Sequence, residues 1–209
     1  MNGKVHIHVS EGATVTAKCN GNETVALGSF NGSADIYSCG TLDLTSDGNI
    51  CASCGTIGKG SASVMVAGGN ISAIVHGDRA VCLGSIAGTS KVSISDGRVN
   101  AYGEGNNVCG YGSLEGIGTN YISGGTAKVK ILSGRILEFG NENCTTVITG
   151  GNILSTEKTF APVNDRGDLL HLEVSDEIKL MRTVHGKAGD YIYKAEKLPE
   201  DDELCIYIP

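Results

Sequence analysis

Three groups of side chains in this 209-residue chain are of types that do chemistry: a close cysteine pair, scattered carboxylates and histidines, and three clustered tyrosines. Cys51-x-x-Cys54 has the spacing of a zinc half-site or a redox pair. Zinc needs four ligands, and neither a second such pair nor a histidine stands at the required offset. A redox role needs a strand-to-helix setting, which the surrounding text does not offer. Cysteine is also a small apolar side chain that suits a narrow packed interior, and Cys54, Cys82 and Cys109 are read in that role.

Glycosidic cleavage requires two carboxylates held across a cleft. The candidates are Asp43, Asp47, Asp78, Asp96 and Glu104, and all lie in or beside turns, where aspartate commonly satisfies the backbone. Corner oxygens could hold calcium, but Asp47, Asp78 and Asp96 fall in different phases of the repeat described below. The nine-residue calcium-binding glycine-aspartate motif is absent as well, so no cofactor and no metal site is expected. His6 and His8, two apart on one strand, project to the same side, yet two ligands are too few for a metal. His76, His171 and His185 lack a partnered serine or cysteine. No catalytic residue is read. Tyr102, Tyr111 and Tyr121 remain as candidate binding residues, because exposed aromatic rings stack on sugars.

The elements that would position these residues are written as a repeat. Val64-x-Val66-x-x-Gly69-x-Ile71-x-Ala73 returns as Val92-x-Ile94-x-x-Gly97-x-Val99-x-Ala101. It returns again as Val129-x-Ile131-x-x-Gly134-x-Ile136 and as Thr146-x-Ile148-x-x-Gly151-x-Ile153. Looser copies begin at Ile7 and Ala34. A second mark recurs in step: Leu27-Gly28-Ser29, Ile57-Gly58-Lys59-Gly60, Leu83-Gly84-Ser85 and Ile117-Gly118-Thr119. Alternation of apolar residues is strand periodicity, and a repeat of roughly 28 residues with three such segments is that of a solenoid. The fold expected is all-β: a three-sided right-handed parallel β-helix (β-solenoid) of about five rungs with a small C-terminal β-rich cap.

Inward columns are then Val64, Val92 and Val129; Val66, Ile94 and Ile131; and Ile71, Val99 and Ile136. The interval from Gly97 to Gly134 implies that residues 102–127 carry an insertion, which places the three tyrosines in and around one long rung. The outward columns read His6, Asp35, Met65, Ser93, Lys130 and His8, Tyr37, Ala67, Ser95, Leu132. They repeat no single residue type, which argues against an ice-binding plane.

Composition divides the chain. All of the 31 glycines except Gly167, Gly186 and Gly189 precede residue 156, and Pro162, Pro199 and Pro209 all follow it. Residues 1–155 are read as the solenoid and 156–209 as a capping region with strands at 169–174, 178–181, 191–193 and 204–208. The N-terminal strand must be shielded by a neighbouring domain or chain, because an open stack end recruits other strands. A net charge of −7 without a basic stripe excludes nucleic acid as a partner, and no apolar run is long enough to span a membrane. Eight cysteines and the lack of a leader-like segment fit a reducing compartment.

The repeat text, together with Pro162, Asn164, Gly167 and Leu170 and the final Ile206-Tyr-Ile-Pro209, resembles glycine-rich β-helix repeat proteins of the gut Firmicute cell surface. That resemblance implies a bacterial surface or extracellular setting and an adhesin-like, non-enzymatic module contacting glycans. The alternatives on the same scaffold are a carbohydrate-active lyase or hydrolase and a phage-type receptor-binding fibre.

Overall fold

The computed structural model describes the backbone of residues 3–155, 172–174, 178–185 and 190–197, with side chains over 3–155 and at Glu173. Among these residues there is no helix, and the strands run in three parallel walls. The first rung is β1 (Lys4–Val9), β2 (Thr14–Asn20) and β3 (Glu23–Ser29), and the second is β4 (Ser33–Ser38), β5 (Thr41–Asp47) and β6 (Ile50–Thr56). In the third rung β7 (Ser61–His76) serves two walls before β8 (Arg79–Ser85), and in the fourth β9 (Thr89–Glu104) does so before β10 (Asn107–Ser113). The fifth is β11 (Ile117–Ile122), β12 (Thr126–Ile131) and β13 (Arg135–Leu137), followed by β14 (Cys144–Ile148) and β15 (Asn152–Ser155). Wall 1 stacks β1, β4, β7, β9, β11 and β14; wall 2 stacks β2, β5, β7, β9, β12 and β15; wall 3 stacks β3, β6, β8, β10 and β13. The expected β-solenoid of about five turns is what the chain forms.

The register steps by 28 residues through the centre of the stack: Ser61 pairs with Thr89, and Thr89 with Ile117. Each inward side chain therefore rests on its counterpart one rung on, about 4.8 Å away. Val64 lies on Val92, Val66 on Ile94, and Ile71 on Val99, all buried. The fifth rung departs from the expected columns. Val92 is followed by Asn120, Ile94 by Ile122 and Val99 by Ala127, not by Val129, Ile131 and Ile136. Val129 and Ile131 belong to wall 2, beside Ala101 and Gly103, and Ile136 belongs to wall 3, beside Val108.

The physical reason is Asn120. A buried amide replaces the apolar residue that marks wall 1 elsewhere, so the copy Asn120-x-Ile122-x-x-Gly125-x-Ala127 escapes the pattern. Its Nδ2 donates to the Phe139 carbonyl at 3.0 Å and to Thr146 Oγ1 at 3.3 Å, which satisfies the donor side of the amide inside the core. The corner glycine of this rung is Gly125 (φ 65°), in line with Gly69 and Gly97, while Gly134 occupies the next corner. Residues 102–127 thus hold no insertion.

The second mark is also reassigned. The ladder across wall 3 is Leu27-Gly28-Ser29, Cys54-Gly55-Thr56, Leu83-Gly84-Ser85 and Tyr111-Gly112-Ser113. Gly55 and Gly84 have φ of 136° and 133°, and a β-carbon on either would overlap the carbonyl oxygen of the next glycine in the ladder. Ile57 and Ile117 lie after this bend.

Wall 3 is buried on both faces. Inside are Cys51, Cys54, Ala80, Leu83 and Tyr111; outside, Ala52, Val81 and Cys109 form a second apolar cluster with Ile86 and Leu114. Only walls 1 and 2 present polar outer faces.

The two ends differ. In the first rung Ile7, Val15, Ala17 and Leu27 are only partly buried, since nothing among the described residues lies above them. At the other end β16 (Leu172–Val174) adds to wall 1 in parallel, and β18 (Asp190–Lys197) adds to β15 antiparallel, with β17 (Ile178–His185) antiparallel beside it. This reversal ends the parallel run of wall 2, as a cap must. The expected strand at 204–208, residues 169–171, and the motif positions between 160 and 170 and at 206–209 lie outside the described residues.

Candidate functional site

The outer face of wall 2 is set by alternation along β7, β9 and β12. With Val99 and Ala101 inward, Arg98, Asn100, Tyr102 and Glu104 must point out; with Ala127 and Val129 inward, Lys128 and Lys130 must do so. Lys130 stands beside Tyr102 and Lys128 beside Asn100. Arg98, Lys128 and Lys130 are exposed and Tyr102 is half-buried, edge-on to the His76 ring at 6.2 Å between centroids. Among the described residues none of these three cations takes part in an ion pair.

Tyr121 lies on wall 1 and not on wall 2. It is 40% exposed, with the Lys91 ammonium 5.2 Å from its ring centroid. Tyr102 and Tyr121 thus occupy adjacent walls of neighbouring rungs and share no surface.

Tyr111 is withdrawn from any binding surface. It is fully buried, stacks on Phe139 at 4.9 Å, and its hydroxyl donates towards the carbonyls of Lys128 (2.9 Å) and Val99 (3.1 Å). It sits in the inward column of Leu27, Cys54 and Leu83, which sequence reasoning could not see while the rung was thought to carry a loop. Burial also pushes its phenol pKa well up.

The carboxylates are dispersed, and Asp47, Asp78 and Asp96 among the candidates are engaged by neighbours. Asp35 pairs with His6 at 3.3 Å, Asp78 accepts from Asn106 Nδ2 at 2.7 Å, Asp96 accepts from the Gly97 amide, and Glu115 pairs with Arg79. Asp47 hydrogen-bonds His76 Nδ1 at 2.5 Å, and the wall 2 register continues this column to Glu104. His6 and His8 do share the outward side, with His8 edge-on to Tyr37 at 5.0 Å.

Cys51 and Cys54 are buried free thiols that do not form a site. Cys51 Sγ donates to the His76 carbonyl, and Cys54 lies between Leu27 and Leu83 in its column. Loss of hydration pushes both thiols up to about 12 and raises Cys82 and Cys109 as well. A thiolate is therefore disfavoured at each in the folded chain. Among the described residues no three histidine, cysteine or acidic side chains converge as metal ligands. The described residues hold no helix long and apolar enough to cross a membrane.

What the sequence reading missed is the cationic group around Tyr102, because it placed Lys130 on wall 1 beside Ser93. The available signal was Gly125, which continues the spacing of Gly69 and Gly97. Comparison with protein-family models, with curated proteins and with solved structures finds no match to this chain.

Proposed function

We propose that the chain is a non-enzymatic display module of a bacterial surface protein, whose rigid walls present side chains to glycans. The observation that carries this reading is Tyr102: a partly open ring on a strand, flanked by Asn100, Lys128 and Lys130 on a flat polar wall. Aromatic faces take up the apolar face of a sugar, and amide and ammonium groups take its hydroxyls. The strands fix the backbone beneath these groups, so ordering on binding is confined to the side chains. Resemblance of the repeat text to Firmicute surface proteins supports the setting. The half-open first rung supports a neighbouring domain or chain at that end.

A glycan array with the full chain tests the reading. Binding to a defined set of glycans is expected, weakened about tenfold or more in Tyr102→Ala with the fold intact by circular dichroism. No bound glycan, or equal binding by Tyr102→Ala, contradicts it.

A second reading rests on the Asp47, His76, Glu104 column, which sets two carboxylates two strands apart with an imidazole between them. On that reading the module cleaves the polysaccharide it holds. Release of new sugar ends by the native chain, abolished in His76→Ala, would establish it; intact polysaccharide after prolonged incubation would exclude it.

A further inference from the structure

We infer that the outer face of wall 2 at the fourth and fifth rungs takes an anionic polysaccharide, one whose sugars carry carboxylates. This rests on the glycan-binding reading and names the class of glycan.

The chain as a whole is acidic, with a net charge of −7. Charge on this wall is distributed otherwise. Arg98, Lys128 and Lys130 all point outward within two adjacent rungs, and all are exposed. Among the described residues the two arginines with an ionic partner stand elsewhere: Arg79 on Glu115 and Arg135 on Glu142. The acids of wall 2 leave most of the patch open. Asp43 lies two strands away from Asn100 and Asp47 is held by His76, while Glu104 borders the patch at one end, two residues beyond Tyr102 and diagonal to Lys130.

Three like charges on one small surface repel one another, and solvation of long side chains makes that tolerable. A polymer with regularly spaced carboxylates removes the repulsion and supplies charge-assisted hydrogen bonds. Tyr102 lies beside Lys130 and diagonal to Lys128, so a ring stacked on tyrosine brings its carboxylate within reach of an ammonium. Arg98, four residues before Tyr102 on the same strand, meets a later sugar along the chain direction. Wall 1 lacks this arrangement among the described residues, since Lys91, beside Tyr121, already lies over that ring.

Retention of the full chain on immobilised polygalacturonate at low ionic strength tests this, with neutral dextran and a single-stranded polynucleotide as parallel matrices. Retention by polygalacturonate alone is expected, falling by about tenfold or more in the Lys128→Gln, Lys130→Gln double variant and in Tyr102→Ala. Thermal unfolding of these variants serves as the folding control. Equal retention on the polynucleotide, with no effect of Tyr102→Ala, would mean bare charge attraction and overturn the inference. Glycan-array hits confined to neutral sugars and indifferent to the double variant would overturn it while leaving the glycan-binding function standing. Failure on every polysaccharide and every array position would remove both.

Discussion

Tyr111 carries the largest side chain in the interior, and its hydroxyl is the group most exposed to error there. A phenol can be buried only if its O–H finds an acceptor, and here two main-chain carbonyls face it. Tyr111→Phe keeps the stack on Phe139 but strips the donor, so a loss of about 1–2 kcal/mol in urea unfolding is predicted, with glycan binding unchanged. The thiols give a second prediction. In a Cys205→Ser background, the half-buried Cys19 and Cys39 should react first with a thiol reagent. Cys51, Cys54, Cys82, Cys109 and Cys144 should react only on unfolding; rapid native labelling of Cys54 would contradict its place in the core. The same burial has a pH signature. The folded chain holds Cys51 and Cys54 neutral to about 12, whereas the unfolded thiols ionise near their ordinary 9.0. Their stabilising share is therefore full below pH 9 and is lost as pH rises from there towards 12. Urea midpoints measured between about pH 8 and about pH 10.5 should fall, and fall less in Cys54→Ala.

At the scale of the element, the glycine ladder of wall 3 decides how closely rungs approach. Gly84→Ala puts a methyl group into the carbonyl of Gly112 at a φ that L side chains avoid, so the stack must part locally. A loss of at least about 3 kcal/mol, or failure to fold, is predicted. Gly12→Ala is the contrast. It has a positive φ but open space around it, so about 1 kcal/mol is expected. Equal losses in the two would show that φ alone, and not the packing of rung on rung, sets the requirement.

These same elements show how far the sequence could be read. Alternation around Val64, Val92 and Ile148 specified strands and walls, because apolar burial is written directly into residue type. The rung holding Asn120 was not legible: a buried amide that donates to Phe139 and Thr146 has no periodic mark. The text Val129-x-Ile131-x-x-Gly134 then supplied a false copy, one wall out of phase. That slip moved Lys130 to the wrong wall and Tyr111 to the surface, so Tyr102 and Tyr121 alone of the candidate tyrosines retain an outward position. Ionic neighbours across rungs depend on register, and register is what the slip obscured.

For the whole molecule, every surface argument follows from which residues the stack makes neighbours. A parallel solenoid with a nearly regular step converts a linear text into flat walls, and a one-wall error redistributes all the outward groups. The two registers differ sharply at one place. The structure sets Tyr121 beside Ser93 on wall 1, whereas the false copy would set Lys130 there. Paired strands bring such neighbours to about 4.8 Å, within the span of a disulfide. The decisive measurement is oxidation of Ser93→Cys, Tyr121→Cys and Ser93→Cys, Lys130→Cys double variants, in a background lacking Cys19, Cys39 and Cys205, followed by peptide mass mapping. Efficient cross-linking of the first pair and none of the second is the result predicted; cross-linking of the second pair alone would contradict the stack and the binding wall built on it.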